Sequence, residues 1–367
     1  MTDLELKKSL LSCPGDTIQE HIDTIGMSQA ELAERLGRSV PKLNELIKGK
    51  APISKETATK LGYVLGIPAS FWLNLERIYQ DELLEIEQLE HLESCKEWVS
   101  GFPLSAMKTL GIIPDTRDKA EIAKSLLAFF RVASPAQWSS IYEGKSVAFK
   151  IELRYTTEPQ AISVWLRLGE LQAAQLQVAD FDKKALRDQL STFKEIAFSH
   201  SEDWLDQLQS RCASCGLALV YTPSIAKAPI YGASRWIRSN SLPLIQISDR
   251  QKDYNAFWFT FFHELAHILY HGKKDVFIEG LASIQPDPVK EKEADSFAAR
   301  MLLSEKARGA LALQDEFTAE WVQAFSQTFR QHPGIIVGQI QRMHPQLYKN
   351  YQLNRLKPKV AFKQVTL

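Results

Sequence analysis

The chain has no net charge: its 367 residues carry 44 Lys and Arg against 44 Asp and Glu. That balance excludes a global attraction to nucleic acid or to acidic surfaces, so any affinity for a polyanion must come from local placement. Cysteine is scarce. Four cysteines, Cys13, Cys95, Cys212 and Cys215, are too few and too scattered for a disulfide framework in a chain of this length. Cys212 and Cys215 form a lone CxxC with no second pair nearby, and the pattern reads as the end of a helix before a strand. No run approaches the roughly 18 apolar residues that cross a bilayer, and the N-terminus lacks the apolar core of a signal peptide. These absences lead us to expect a cytoplasmic protein with no membrane partner. Internal repeats and low-complexity tracts are missing as well. What remains, 45% hydrophobic residues over 367 positions, is enough for more than one core.

The most informative stretch runs from Phe257 to His271 and holds His263-Glu264-Leu-Ala-His267 inside a strongly apolar segment. Two imidazoles four residues apart stand one turn above each other on a helix, where both reach one zinc ion. Glu264 lies between them, placed for the water on that metal rather than for the metal. As inert core residues, two histidines and a carboxylate would cost several kcal/mol unless satisfied by partners. A catalytic zinc needs a third protein ligand, and Val289 to Leu303 supplies candidates on an amphipathic helix. Glu291 and Asp295 share a face, which suits Glu291 as ligand and Asp295 as hydrogen-bond acceptor from a ligand histidine. Glu293 points roughly 200 degrees away around the helix and is the alternative ligand. His271 also falls on the metal face, either supporting the site or contacting substrate, or simply ending the helix before Gly272.

These two motifs resemble the ImmA/IrrE family of bacterial zinc metallopeptidases over roughly residues 200 to 310. The resemblance assigns the third ligand to Glu291, in a gluzincin-type arrangement, and implies a protein substrate such as a repressor or regulator. Leu303-Ser304 replaces the Met-Pro common at the end of the second motif, which is expected to loosen that helix stop. His332 to Ile340 resembles the family's C-terminal extension. Segments 217–221, 229–237 and 243–248 read as strands, and either Tyr231 to Trp236 or Gln246 with Ser248 would offer substrate an edge. Arg235, Tyr270 and His271 are candidates for stabilising an oxyanion.

At the other end, Ser28 with Glu31 reads as a capping box, Gly37 as a turn, and Ser39 as the cap of a helix with Pro41 in its first turn. Leu32, Ala33, Leu36, Leu43, Leu46 and Ile47 would share a core, and this is the pattern of a helix-turn-helix. Residues 1–80 hold ten basic and ten acidic side chains, but from Arg35 to Lys50 five basic residues face only Glu45. Gln29, Arg38, Ser39, Lys42, Asn44 and Lys48 are the candidates for DNA contact. Residues 12–80 resemble the Xre-like domain of HigA-type antitoxins, which implies a double-stranded operator, a homodimer and, in one reading, a cognate toxin.

The expected fold is multidomain and mainly α. A five-helix helix-turn-helix bundle fills 1–80, a helical connector 81–200, and an α+β zincin-like metallopeptidase domain with a small sheet 201–367. Within the connector, Asp81 to Glu93 continues the preceding helix as an acidic, solvated face. Ala120 to Phe130, Ala161 to Gln177 and Leu186 to Ile196 are periodic at helical spacing, and Val147 to Tyr155 alternates like a strand.

Overall fold

The computed structural model describes residues 3–143, 158–250, 252–273, 277–279 and 287–362. The chain is mainly helical and divides into two compact units, residues 1–99 with 116–124, and residues 100–115 with 125–367.

The first unit is built from α1 (Asp3–Leu10), α2 (Pro14–Thr24), α3 (Gln29–Leu36), α4 (Val40–Ile47), α5 (Lys55–Leu65), α6 (Ala69–Ser94) and α7 (Lys96–Val99). Its core is largely apolar, with Thr57 and Glu76 the buried polar side chains. Ile18 and Ile22 of α2, Leu32 and Leu36 of α3, Leu43 and Leu46 of α4, Leu61 of α5 and Trp72 of α6 meet in one cluster, with Ile47 packed at its margin. Ser28 caps α3 through the Glu31 N–H at 3.2 Å. Only half of the expected capping box forms, because the Glu31 carboxylate turns to Arg35 at 2.6 Å. Gly37 ends α3 at φ 64°, a left-handed position that glycine adopts without strain. Ser39 occupies the N-cap position of α4 but makes no capping hydrogen bond. Pro41, second in that helix, lacks one of the N–H groups that such a cap would satisfy. The acidic stretch from Asp81 does continue the preceding helix, and α6 runs unbroken for 26 residues.

α8 (Leu104–Thr109) belongs to the second unit, α9 (Lys119–Phe130) begins in the first and ends in the second, and α10 (Pro135–Tyr142), α11 (Pro159–Gln175), α12 (Lys183–Asp188), α13 (Leu190–Ser199) and α14 (Trp204–Ser214) follow in the second. The helix anticipated from Leu186 to Ile196 breaks at Gln189 into α12 and α13. Residues 147–155, read above as a strand, lie outside the described residues. Four strands follow: β1 (Ala218–Thr222), β2 (Gly232–Ile237), β3 (Leu242–Ser248) and, after α15 (Tyr254–Tyr270), β4 (Phe277–Glu279). Their order is β1-β3-β2-β4, with β1 parallel to β3 and the other two pairings antiparallel. Over the described residues β2 and β3 are therefore interior, and the edges are β1 and β4. Neither strand expected to offer an edge does so where it is paired on both sides.

Strand alternation sorts the sheet into two faces. Leu219, Ile245 and Ile247 face α15 and join Phe257, Trp258, Phe261, Phe262 and Leu265 in the main core. The full burial of each such side chain stabilises by roughly 1.5–3 kcal/mol, which is what holds a helix of this composition inside. On the other face, α11 packs on β1 and β3, although the sequence placed it in a connector. There Gln246 Nε2 donates to the Trp165 carbonyl at 2.6 Å, and Arg235 donates to Gln246 Oε1 at 3.0 Å and the Leu166 carbonyl at 2.6 Å.

α16 (Pro288–Leu302) lies against α15. α17 (Glu305–Ala312), α18 (Ala319–Phe329), α19 (Pro333–Met343) and α20 (Tyr351–Asn354) then enclose a smaller core around Leu311, Val322, Ile336 and Ile340. The stop after α16 is sharp rather than loose. Ser304 accepts from the Ala307 N–H at 3.2 Å and so caps the next helix in place of a proline. Past α20, Lys359 bridges to Asp253, the N-cap of α15, while Lys357 pairs with the Asp253 carboxylate and Phe362 stacks on Tyr221 at 5.1 Å. Cys212 and Cys215 are buried free thiols at the end of α14. Burial raises the Cys212 thiol well above its ordinary value, which removes the thiolate that redox chemistry needs.

Candidate metal centre and nucleic-acid interface

α15 begins where Asp253 accepts the Ala256 N–H at 3.0 Å, and α16 begins at Pro288 with Asp287 accepting the Val289 N–H at 3.0 Å. These caps bring the two motifs face to face. His263, His267 and Glu291 converge so that one donor atom from each lies within 4.8 Å of the others. The two Nε2 atoms are 3.0 Å apart, and Glu291 stands 3.2 Å from His263 Nε2 and 3.6 Å from His267 Nε2. Ligands held about 2.0–2.1 Å from one tetrahedral ion sit about 3.3 Å from each other, so these three edges fit one such ion. Asp295 takes the Nδ1 proton of His263 at 3.0 Å, leaving Nε2 with its lone pair toward the other donors. His271 meets His267 Nδ1 to Nδ1 at 2.8 Å. Glu293 is not brought to the donors; it reaches His271 Nε2 at 3.1 Å.

The charges bear the marks of a site made for a cation. Burial opposes protonation of His263, but the Glu291 hydrogen bond and the charges of Glu264, Glu279 and Glu291 outweigh it and push its pKa up to about 9. Burial, with the charges of His263 and His271, drives His267 down to about 2. The pair therefore accepts one proton at most, whereas a divalent ion would satisfy both lone pairs and the carboxylate together.

Glu264 is fully buried, and it is not among the converging donors. Ser234 of β2 donates to its Oε2 at 2.5 Å, while Oε1 has no partner. Burial first, then repulsion from Glu279 and Glu291 against the pull of His263 and Ser234, lifts its pKa to about 8. A carboxyl near neutrality is suited to taking and returning a proton. Ser234 was not legible beforehand. Neither was Gly232, where a Cβ would come within 2.5 Å of Thr260 Cγ2 and 3.2 Å of Glu264 Oε1. From β4, Phe277 lays its ring on His267 at 3.7 Å and 14°, and Glu279 places a buried carboxyl whose pKa burial raises. Among the oxyanion candidates, Arg235 is excluded because it lies on the opposite face of the sheet. Tyr270 is half exposed and packs on Phe297, and His271 is engaged by His267 and Glu293.

In the first unit, α4 exposes Val40, Pro41, Lys42 and Glu45, and Ser39 and Lys48 flank it in solvent. Asn44 is half-buried on the same helix. Gln29 donates to Gln19 at 2.5 Å and Arg38 to the Thr57 hydroxyl, so both are already tied within the bundle. Lys42, Lys48, Ser39 and Asn44 form the available surface.

Residues 20–72 match the helix-turn-helix family, and residues 218–332 match the IrrE N-terminal-like domain of the M78 peptidases. Over 83 residues, 22% of this chain and 88% of the relative, it is 31% identical to the uncharacterized HTH-type transcriptional regulator YddM of Escherichia coli (strain K12). The chain belongs to the Xre-type helix-turn-helix family and carries an ImmA/IrrE-like domain. A second relative, virulence-associated protein I of Dichelobacter nodosus, is 30% identical over 73 residues, 20% of this chain and 68% of its own. The helix-turn-helix match spans α3 and α4 with their neighbours, and the ImmA/IrrE-like match spans the sheet, α15 and α16. No helix among the described residues is long and apolar enough to cross a membrane.

Proposed function

We propose that this protein is a cytoplasmic transcription regulator whose ImmA/IrrE-like domain is a zinc-dependent peptidase acting on a protein partner such as a repressor. The observation that carries the reading is Glu264, a buried carboxyl kept out of the donor cluster by Ser234 with one oxygen left unpartnered. His263, His267 and Glu291 would hold the zinc, with Asp295 and His271 orienting the histidines. When bound, zinc acidifies its water toward neutrality and polarises the substrate carbonyl. Glu264 accepts the proton from the attacking water and passes it to the departing amine nitrogen. Ser234 keeps the carboxyl aimed during both transfers. The helix-turn-helix would read a palindromic operator as a homodimer, through Lys42 and Asn44 with backbone contacts from Ser39 and Lys48.

A second reading is that the chain is a HigA-like antitoxin or repressor, paired with a toxin, whose metal fold is a scaffold or sensor. It is favoured by the relatives, one of them an HTH-type transcriptional regulator, whose matches cover only 22% and 20% of the chain. Glu264 separates the two, since a metal scaffold has no use for that carboxyl. Glu264→Gln is expected to keep zinc, fold and operator binding while abolishing cleavage of the partner encoded beside it. The assay compares wild type and variant for zinc content, operator affinity and degradation of co-expressed neighbouring proteins. If both leave every candidate protein intact and regulate alike, the scaffold reading replaces the peptidase.

A further inference from the structure

We propose that Glu293 acts through His271 to fix the tautomer of His267, so that it is a positioning residue for the metal and not a ligand. The inference rests on the zinc reading of the site. A carboxylate has only acceptors, so the 3.1 Å contact between Glu293 Oε2 and His271 Nε2 puts the proton on that nitrogen. In the neutral ring, His271 Nδ1 is then left as an acceptor. The 2.8 Å contact between the two Nδ1 atoms in turn requires the proton on His267 Nδ1. His267 Nε2 is thereby stripped of hydrogen and presents its lone pair to His263 and Glu291.

The two ligand histidines are thus oriented by different means. Asp295 holds His263 directly, at 3.0 Å, whereas the carboxylate that serves His267 stands one imidazole further away. His271 can bridge that gap because it is the C-cap of α15, where a φ of −105°, against about −63° inside a helix, turns its side chain from the helical direction. Its side chain is only 4% exposed, so water does not compete for Nδ1, while that of Glu293 is 61% exposed. The inner link of the relay is therefore the stronger one. The ring of Phe277, stacked on His267, holds the plane in which both nitrogens point.

The test uses the full chain with zinc as probe, titrated against a chromophoric chelator, together with imidazole nitrogen-15 spectra of the metal-free protein. The spectra of wild type are expected to show His267 protonated at Nδ1 and His271 at Nε2. Outer partners of metal ligands are commonly worth 10–100-fold in affinity, so His271→Ala is expected to weaken zinc by about 10–100-fold and Glu293→Ala, being exposed, by about tenfold. The double variant should bind no worse than His271→Ala alone, because Glu293 has no other route to the metal. Glu293→Ala should leave the metal-free melting temperature where it was, which separates positioning from a structural role. It also keeps the test sharp if His271→Ala fails to fold. The proposal is overturned if His267 carries its proton on Nε2, if the two losses add, or if Glu293→Ala binds zinc like wild type. A wild-type chain that takes no zinc yet shows Nδ1-protonated His267 would overturn the zinc reading and leave the tautomer relay standing.

Discussion

The two units handle polar groups in opposite ways. The helix-turn-helix bundle has a largely apolar core, and the side chains that would meet DNA stand outside it. In the ImmA/IrrE-like unit the side chains of the candidate site are the interior: His263, Glu264 and His267 are at most 4% exposed, on a helix that also supplies much of the core. Burying them costs free energy that an aliphatic helix would not spend. The lesson is that function and fold are separable in the first unit and joined in the second. A substitution on the exposed face of α4 should change binding and leave stability alone, whereas truncating a buried side chain of α15 should disturb both.

The largest effects are expected at the metal. A complete structural zinc site contributes about 10–16 kcal/mol, so loss of one ligand in His263→Ala or Glu291→Ala should cost roughly 3–4 kcal/mol of affinity. Zinc per chain after dialysis against a chelator measures it. Retention by Glu291→Ala with loss from Glu293→Ala would reverse the ligand assignment. Next is Gly232→Ala, whose new methyl would press on Thr260 and Glu264. Overpacking of this kind costs roughly 1–3 kcal/mol, and it should lower both the unfolding midpoint and any peptidase activity. Wild-type stability in that variant would mean that β2 does not pack against Glu264 as described.

On the first unit, Lys42→Ala or Asn44→Ala should lose roughly 1–3 kcal/mol on the operator if they read bases, with zinc content unchanged. Lys48→Ala should instead reduce the slope of log affinity against log salt by about one on any sequence. Equal losses on operator and random DNA would make Lys42 or Asn44 a backbone contact.

The smallest expected effect concerns pH. His332 caps α19 by accepting the Gly334 N–H at 3.0 Å, and burial, with His200 nearby, lowers its pKa to about 4. An unfolded histidine titrates near 6.5, so the stability that His332 confers is complete above about pH 6.5 and is lost as pH falls through about 4. Discounted for partial exposure, this is roughly 1–2 kcal/mol. His332→Asn keeps a capping oxygen without the titration. Metal-free wild type should lose more stability than the variant between pH 7 and 4, and parallel curves would refute the assignment.

The parts of the molecule legible in the sequence were those written at short range. The four-residue spacings of His263 with His267 and of Glu291 with Asp295 put each pair on one face before any tertiary contact was known. Gly37 and the cap at Ser28 are equally local. What escaped depends on partners distant in sequence. Ser234 and Gly232 reach Glu264 from β2, Phe277 covers His267 from β4, and α11 pairs its backbone with Gln246, 81 positions from Trp165. Glu293 was rightly seen to point away from the other two carboxylates. Its attachment to His271 was hidden because it depends on where the helix lets go.

The last strap of the second unit also sets an order of events. Lys357, Lys359 and Phe362 close on Asp253 and Tyr221, so α15 is fastened by residues made about a hundred positions later. Domains fold as their residues leave the ribosome, the first ones first. The helix-turn-helix bundle is thus assembled while α15 still awaits its final fastening, and a newborn chain has its first unit in hand before its second is tied down.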